Sequence, residues 1–132
     1  MGEAVEVLGR LLSDQDLRER FQAAPFKVAT SLGLTGSNLE LVCGIDPAEL
    51  ERQAETLLLK RWHEVRKLAP KSIEGLADGL SLFRFFARHY WPEGHRRHLQ
   101  DCVSFLRFLG ENQISVDKGE WRMLRRMVQL RK

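Results

Sequence analysis

The sequence predicts an all-α fold, a compact bundle of about seven or eight helices. Apolar residues recur at three- and four-residue spacings through most of the chain, which is the pattern of amphipathic helices. No segment alternates apolar and polar residues for more than a few positions, as a half-buried strand would. With 132 residues, 43% of them apolar and 30% charged, the chain has the length and composition of one globular domain spanning 1–132.

Helix starts are marked where a Ser or Asp precedes an acidic residue by three positions, because both side chains can then bond free amides of the first turn. Four pairs have this spacing: Ser13 with Asp16, Ser37 with Glu40, Asp46 with Glu49, and Asp117 with Glu120. Pro47 suits the first position of a helix. Gly33 and Gly44 are expected to end helices in the left-handed conformation, and Pro70 and Pro92 to prevent helices from continuing.

These signals divide the chain into a short-helix part, 1–45, and a main bundle, 46–132. Helices near 47–68, 80–90 and 94–110 carry long apolar faces and are expected to form the core. The full set of predicted helices is 3–12, 14–23, 25–32, 38–43, 47–68, 73–90 with a break at Gly79, 94–110 and 118–131.

Composition and charge limit the location and the partners of the protein. No apolar stretch approaches the roughly 18 residues of a membrane span, so membrane insertion is not expected. Glu3 and Glu6 stand where a signal peptide would be basic and then apolar, and Cys43 and Cys102 lack the spacing of a zinc site, so a bacterial cytoplasm is the expected location. The formal charge is +3, and residues 117–132 hold six Lys or Arg against two acids.

The side chains that invite a catalytic or metal-binding interpretation are His95, His98 and Cys102, of which the last two share one helical face. Arg96 and Arg97 would oppose a bound cation, and no carboxylate pair completes a ligand set. A GxSxG, HExxH or Gly-rich phosphate motif is also lacking. We therefore expect no catalytic site, metal or cofactor, and an enzymatic alternative depends on this His and Cys group.

The segment 88–98 concentrates cations and aromatic residues between two core helices, a composition that can bind a phosphate backbone, an acidic peptide or a carboxylate. In the alternative interpretation, Tyr90 and Trp91 close the core and the Arg and His side chains line a solvated loop. The candidate partner-binding residues are Arg84, Arg88, His89, Trp91, His95, Arg96, Arg97 and His98.

A second basic surface is expected on the C-terminal helix, which has Trp121, Leu124 and Val128 on one face. A basic amphipathic helix can bind a partner, an anionic membrane or nucleic acid, or it can simply cover the core with a charged outer side. The basic residues singled out are Arg122, Arg125, Arg126 and Arg131.

The order of landmarks between 49 and 109 carries a family resemblance. These landmarks are Lys67-Leu68-Ala69-Pro70, then Phe83, Phe86, Tyr90 and Trp91-Pro92, and finally Leu99, Phe105 and Phe108-Leu109. About half of the chain thereby resembles a helical bacterial family labelled as a DNA-binding domain, and related partner proteins of multinuclear non-haem iron oxidases that modify ribosomal peptides. The resemblance implies a subunit that helps to present a precursor peptide, with the metal ligands on the separate enzyme.

Two functions follow as expectations. The first is a non-catalytic accessory or adaptor protein that binds a protein or peptide partner, namely a metal-dependent oxidase and its acidic precursor peptide in peptide natural-product maturation. The alternative is a DNA-binding regulatory protein that uses Arg-rich helical surfaces, among them the start of the predicted 94–110 helix with His95, Arg96, Arg97 and His98.

Overall fold

The computed structural model describes residues 2–88, 90–92 and 96–129, and these form nine helices and no strand. The all-α prediction is therefore confirmed, with one or two helices more than expected. The helices are α1 Gly2–Ser13, α2 Gln15–Ala23, α3 Pro25–Ser31, α4 Gly36–Cys43, α5 Pro47–Leu68, α6 Pro70–Glu74, α7 Gly79–Ala87, α8 Arg97–Glu111 and α9 Lys118–Gln129. Within the described residues, no helix combines the length and the apolar character needed to cross a membrane.

The chain divides into two compact units. Unit 1 comprises Met1–Leu57 with Arg88–Tyr90, and unit 2 comprises Leu58–Ala87 with Trp91–Lys132. The division in sequence falls inside α5, so this helix contributes its first half to one unit and its second half to the other. That 1–132 forms one domain, with a short-helix part up to residue 45, stays a prediction.

Unit 1 has its own hydrophobic core, to which α1 through α4 and the start of α5 contribute. Its buried apolar residues are Ala4, Val7, Leu11, Leu17, Phe21, Ala29, Leu34, Val42 and Leu50.

Arg18 is buried in unit 1 as well, with 8% of its surface exposed. Its Nη1 donates to the carbonyl oxygens of Leu11 (2.8 Å) and Leu12 (3.2 Å), and its Nε donates to Glu51 (2.8 Å). Since the last carbonyls of a helix lack partners within the helix, Arg18 closes the end of α1.

Two of the predicted caps in unit 1 are wrong. Ser13 remains in the last turn of α1, where its hydroxyl donates to the Gly9 carbonyl, and the neighbouring Asp14 accepts from the Leu17 amide at 3.1 Å instead. The charged carboxylate is the better acceptor for a helix amide. Ser37 lies inside α4, because that helix already begins at Gly36 after an extended Thr35.

Glycine ends two helices of this unit in different ways. Gly33 adopts φ +92° and confirms the predicted left-handed stop after α3. Gly44 follows α4 at the predicted place, but its φ is −85°, so the prediction of a left-handed conformation is wrong there. The Gly44 amide still donates to the Glu40 carbonyl at 3.0 Å. Gly44 therefore ends α4 while its own backbone stays in the right-handed helical region.

Unit 2 is built around aromatic side chains. Phe83 and Phe105 are fully buried, with ring centroids 5.2 Å apart in an edge-to-face arrangement. Trp62 lies 5.5 Å from Phe83, and Phe86 lies 5.4 Å from Phe105. These rings come from α5, α7 and α8, so the predicted core helices are confirmed. The fully buried Leu124 adds α9 to the same core.

The predicted 73–90 helix is two helices, α6 and α7, separated by residues 75–78. Gly79 begins α7, and a Cβ at this position would lie 2.8 Å from the Trp62 ring. The absence of a side chain at Gly79 therefore permits α7 to approach Trp62. The break was predicted at Gly79, and the structure places it at residues 75–78, directly before this glycine. Pro70 follows the end of α5 as predicted, and it also begins α6. Proline is tolerated there because the backbone amides of the first helical turn have no hydrogen-bond acceptor within the helix.

Candidate partner-binding site

A cavity of about 350 Å³ lies in unit 2 between α5, the start of α8 and the segment at 91–92. Its lining residues are Lys60, Arg61, Glu64, Trp91, Pro92, Arg97, His98 and Asp101. A second cavity of about 440 Å³ runs along α5 and α6. The charged side chains of that second cavity are all exposed, whereas the first cavity contains a buried ion pair, so we take the first as the candidate site.

The buried ion pair joins Arg61 on α5 to Asp101 on α8. The Arg61 Nε and Nη2 atoms donate to the two carboxylate oxygens of Asp101, both at 2.8 Å. Only 12% of the Arg61 side chain and 3% of the Asp101 side chain are exposed. Two parallel bonds of this kind fix both the distance and the orientation of the guanidinium plane. The pair therefore holds one wall of the cavity in a single geometry.

The same guanidinium group lies between two aromatic rings. Its central carbon is 5.5 Å from the centroid of Phe83 and 5.2 Å from the centroid of Trp91. Cation–π contacts of this length are stabilising, particularly where solvent is excluded. Asp101 thus orients Arg61, and Arg61 in turn positions the Trp91 ring that lines the cavity.

The cavity lining includes polar and charged side chains that are accessible to solvent. Lys60, Arg97 and His98 are exposed, and Glu64 is half-buried. Among the described lining residues, three Lys or Arg side chains stand against two carboxylates, which is an excess of one positive charge. Trp91 and the buried Pro92 supply apolar surface beside these charges. Such a cavity suits a ligand segment that combines an apolar group with a carboxylate.

Comparisons with protein-family models, with curated proteins and with solved structures found no match. The resemblance of residues 49–109 to partner proteins of iron oxidases therefore stays a prediction.

The structure brings together only part of the predicted partner-binding set. Trp91, Arg97 and His98 line the cavity. Arg84 lies half-buried on α7 and is not among the lining residues. His89 and His95 lie outside the described residues.

Arg88 belongs to unit 1, where it has a structural role. Its Nη2 donates to Asp16 Oδ1 at 2.9 Å, and its carbonyl oxygen accepts from the Gln15 amide at 3.2 Å. The hydrogen bond to Asp16 and the charge of that carboxylate raise the pKa of the Arg88 guanidinium. Arg88 therefore contacts the start of α2 through both its side chain and its backbone.

Arg96 was predicted to lie inside the 94–110 helix, and this prediction is wrong. This residue has φ 59° and ψ 47°, and α8 begins after it at Arg97. A left-handed residue cannot continue a right-handed helix, and the Arg96 side chain turns toward the Met127 carbonyl, at 3.5 Å from Nη1. Of the four basic residues expected at the start of a DNA-reading helix, Arg97 and His98 lie in the first turn of α8.

His98 and Cys102 differ sharply in their surroundings. Cys102 is fully buried, its Sγ lies 4.0 Å from the Val65 carbonyl oxygen, and burial raises its pKa to about 12, with smaller contributions from the charges of Asp101 and Glu120. His98 is exposed. Over 2–88, 90–92 and 96–129, no three or more His, Cys, Asp or Glu side chains are grouped so that they could hold a metal ion.

Sequence reasoning missed Arg61 and Asp101, although a signal was present. Arg61 stands in the apolar stripe of α5 between Leu58 and Val65, and Asp101 stands between the buried Leu99 and Cys102 of α8. A charged residue at a core position needs a partner of opposite charge, because an unpaired buried charge is costly. One such position on each of two core helices predicts an ion pair between them.

The basic residues of α9 are placed as expected. Arg122, Arg125 and Arg126 are exposed, whereas Leu124 on the opposite side is fully buried and Trp121 is half-buried. The helix therefore covers the core and presents a charged outer side. Arg131 lies outside the described residues.

Proposed function

We propose that this chain is a non-catalytic accessory protein whose cavity binds an acidic segment of a protein or peptide partner. The observation that carries the proposal is the cavity wall formed by Asp101, Arg61 and Trp91, together with the exposed cations Lys60 and Arg97 of its lining. A buried pair that orients an aromatic wall is pre-organised, so binding costs little ordering of the site.

In this proposal the lining residues have separate roles. Trp91 and Pro92 contact the apolar part of a bound side chain, and Lys60 and Arg97 attract its carboxylate or a neighbouring one. The volume of about 350 Å³ accommodates one or two side chains rather than a whole folded partner. The ligand is accordingly a short segment of a longer chain.

The proposed partners are those implied by the resemblance: an acidic precursor peptide and the metal-dependent oxidase that modifies it in a bacterial cytoplasm. In this role the accessory protein supplies no reacting group. It holds the peptide while the separate enzyme acts on it.

The test measures binding of short fluorescent peptides by anisotropy. One peptide alternates Glu with Phe and Leu, and a second has Lys at each Glu position. We expect the full chain to bind the acidic peptide and not the basic one. Arg97→Glu should weaken binding about 10- to 100-fold, which corresponds to the loss of one charge-assisted hydrogen bond.

Arg20→Glu provides the matched control, because Arg20 is an exposed arginine on α2 in unit 1 and the substitution changes the net charge equally. It should change the affinity less than threefold. Trp91→Ala should weaken binding as well, whereas Trp91→Phe should retain most of it. Equal losses for Arg97→Glu and Arg20→Glu, or equal binding of the two peptides, would overturn the proposal.

A further inference from the structure

The outer side of α9 carries a second cationic site that the cavity does not use. Arg122, Arg125, Arg126 and Gln129 line a shallow depression of about 230 Å³. Their spacing of three, four and seven residues places all four on one face of the helix. We call this surface the α9 arginine face.

The charge of the α9 arginine face is not neutralised within the described part of the chain. There, no carboxylate lies within 4.0 Å of Arg122, Arg125, Arg126 or the neighbouring Arg107. Glu120, the acidic residue of α9, is buried and accepts hydrogen bonds from the backbone amides of residues 71 and 72. Among the residues that the structure describes, several guanidinium groups thus share one surface with no carboxylate within 4.0 Å.

Trp121 holds two of these arginines in place. The guanidinium carbon of Arg125 lies 5.5 Å from the Trp121 ring centroid, and that of Arg107 on α8 lies 5.8 Å from it. An arginine that stacks on an aromatic ring keeps its donor edge available for an anion. The tryptophan therefore pre-organises part of the face.

The distribution of apolar residues favours a phosphate polyanion over a lipid surface. A helix that binds a membrane must expose a broad apolar side, yet Leu124 is fully buried and Trp121 is half-buried in the core of unit 2, and Met123 is the exposed large apolar residue of α9 in the described chain. The arginine fork matches phosphate oxygens in two parallel bonds. From Arg122 to Arg126 the helix rises about 6 Å, over which one nucleic-acid strand presents about two phosphates.

We propose that the α9 arginine face binds the phosphodiester backbone of nucleic acid without reading the base sequence. All of its donors are of the type that contacts phosphate, and the face lies on the outside of a helix that is anchored to the core. The proposal rests on α9 and Arg107 alone and is independent of the cavity in function and in residues.

The experiment titrates the full chain against a fluorescein-labelled 20-base-pair DNA duplex at four salt concentrations and follows anisotropy. The triple variant Arg122→Gln, Arg125→Gln and Arg126→Gln is compared with Arg10→Gln, Arg20→Gln and Lys27→Gln, which removes three exposed charges from unit 1. Each phosphate that is no longer neutralised reduces the magnitude of the slope of log K against log salt by about 0.9, so we expect the α9 variant to reduce it by about two to three. Its affinity at low salt should fall at least tenfold.

The control triple should change the slope by less than one and the affinity by less than threefold. Arg122→Glu serves as a second variant, with an expected loss of about one unit of slope, and thermal melting verifies that each variant is folded. Equal effects of the two triple variants, no binding of duplex at 50 mM salt, or binding of phosphatidylserine vesicles without binding of DNA would each overturn the inference.

Discussion

Glu120 offers the sharpest test of how unit 2 is held together. This residue of α9 is buried, with 8% of its surface exposed, and its carboxylate caps the start of α6. The Lys71 amide donates to Oε2 at 2.8 Å, and both the Ser72 amide and the Ser72 hydroxyl donate to Oε1 at 2.7 Å. The Ser72 hydroxyl in turn accepts from the Asp117 amide at 3.0 Å. Glu120→Gln should therefore weaken the attachment of α9 to α6.

The expected cost follows from these bonds. In the Gln variant the amide oxygen can replace Oε1 opposite Ser72, but the NH₂ group then faces the Lys71 amide, which is also a donor. Leaving that amide without an acceptor costs about 1–3 kcal/mol. The two bonds from Ser72 lose their ionic component, which is worth roughly half of their strength. We expect the free energy of unfolding to fall by about 2–4 kcal/mol, or the melting temperature by about 8–16 °C.

The assay is urea denaturation followed by circular dichroism at 222 nm. Glu111→Gln is the matched control, because Glu111 is an exposed glutamate at the end of α8, and it should change stability by less than about 0.5 kcal/mol. Ser72→Ala should be destabilising too, since it removes two hydrogen bonds at the same place. If Glu120→Gln is as stable as the wild type, the carboxylate does not act as the cap described above.

Three further predictions concern other parts of unit 2. Gln113 has φ 64° after α8, so Gln113→Gly should raise the free energy of unfolding by about 0.5–1 kcal/mol in urea denaturation, whereas Gln113→Ala should not. Because burial raises the pKa of Cys102 to about 12, the unfolded chain loses a proton between pH 9 and 12 that the folded chain keeps. The free energy of unfolding should thus fall with rising pH, by up to about 1.4 kcal/mol per pH unit from about pH 10 upward, and Cys102→Ala should show a correspondingly shallower fall in denaturation at pH 9, 10 and 11. Arg61→Met should lower the free energy of unfolding by about 3–5 kcal/mol, because it leaves Asp101 buried without a partner. In a double-mutant cycle, Arg61→Met combined with Asp101→Leu should lower it by less than the sum of the two single changes, and an additive loss would contradict a direct ion pair.

The elements predicted well are those encoded by neighbouring residues. Asp46 caps α5 as expected, with its Oδ1 accepting from the Ala48 amide at 3.2 Å, and Asp117 caps α9 by accepting from the Glu120 amide at 2.9 Å. These contacts span two or three residues, so the sequence contains both partners side by side. The apolar stripe of α5 was equally visible, because a helix repeats its core-facing positions every three or four residues.

Local signals failed where two solutions were available within a few residues. Ser13 and Asp14 both suit the start of α2, and in the structure Ser13 donates to a carbonyl of α1 whereas Asp14 caps α2. The pair Asp117 and Glu120 had the spacing of a reciprocal capping box, yet the Glu120 side chain reaches α6 instead. Spacing alone does not tell which of several donors a carboxylate will meet.

The candidate site was predicted only in part for the same reason. Trp91, Arg97 and His98 were singled out because they lie in one unusual segment, and the structure places them around one cavity. Arg61 and Asp101, which form its buried pair, are 40 residues apart in sequence. Their pairing depends on how α5 and α8 pack.

The sequence by itself determined that this chain is all-α, where most of its helices begin and end, and which helix faces are apolar. Tertiary structure decided that Glu120 caps a different helix, that Arg61 lies between Phe83 and Trp91, and that Arg107 joins Arg125 on Trp121. Helix formation depends on interactions within about four residues, whereas these contacts arise only when distant helices pack together and bury charged groups that must then find partners.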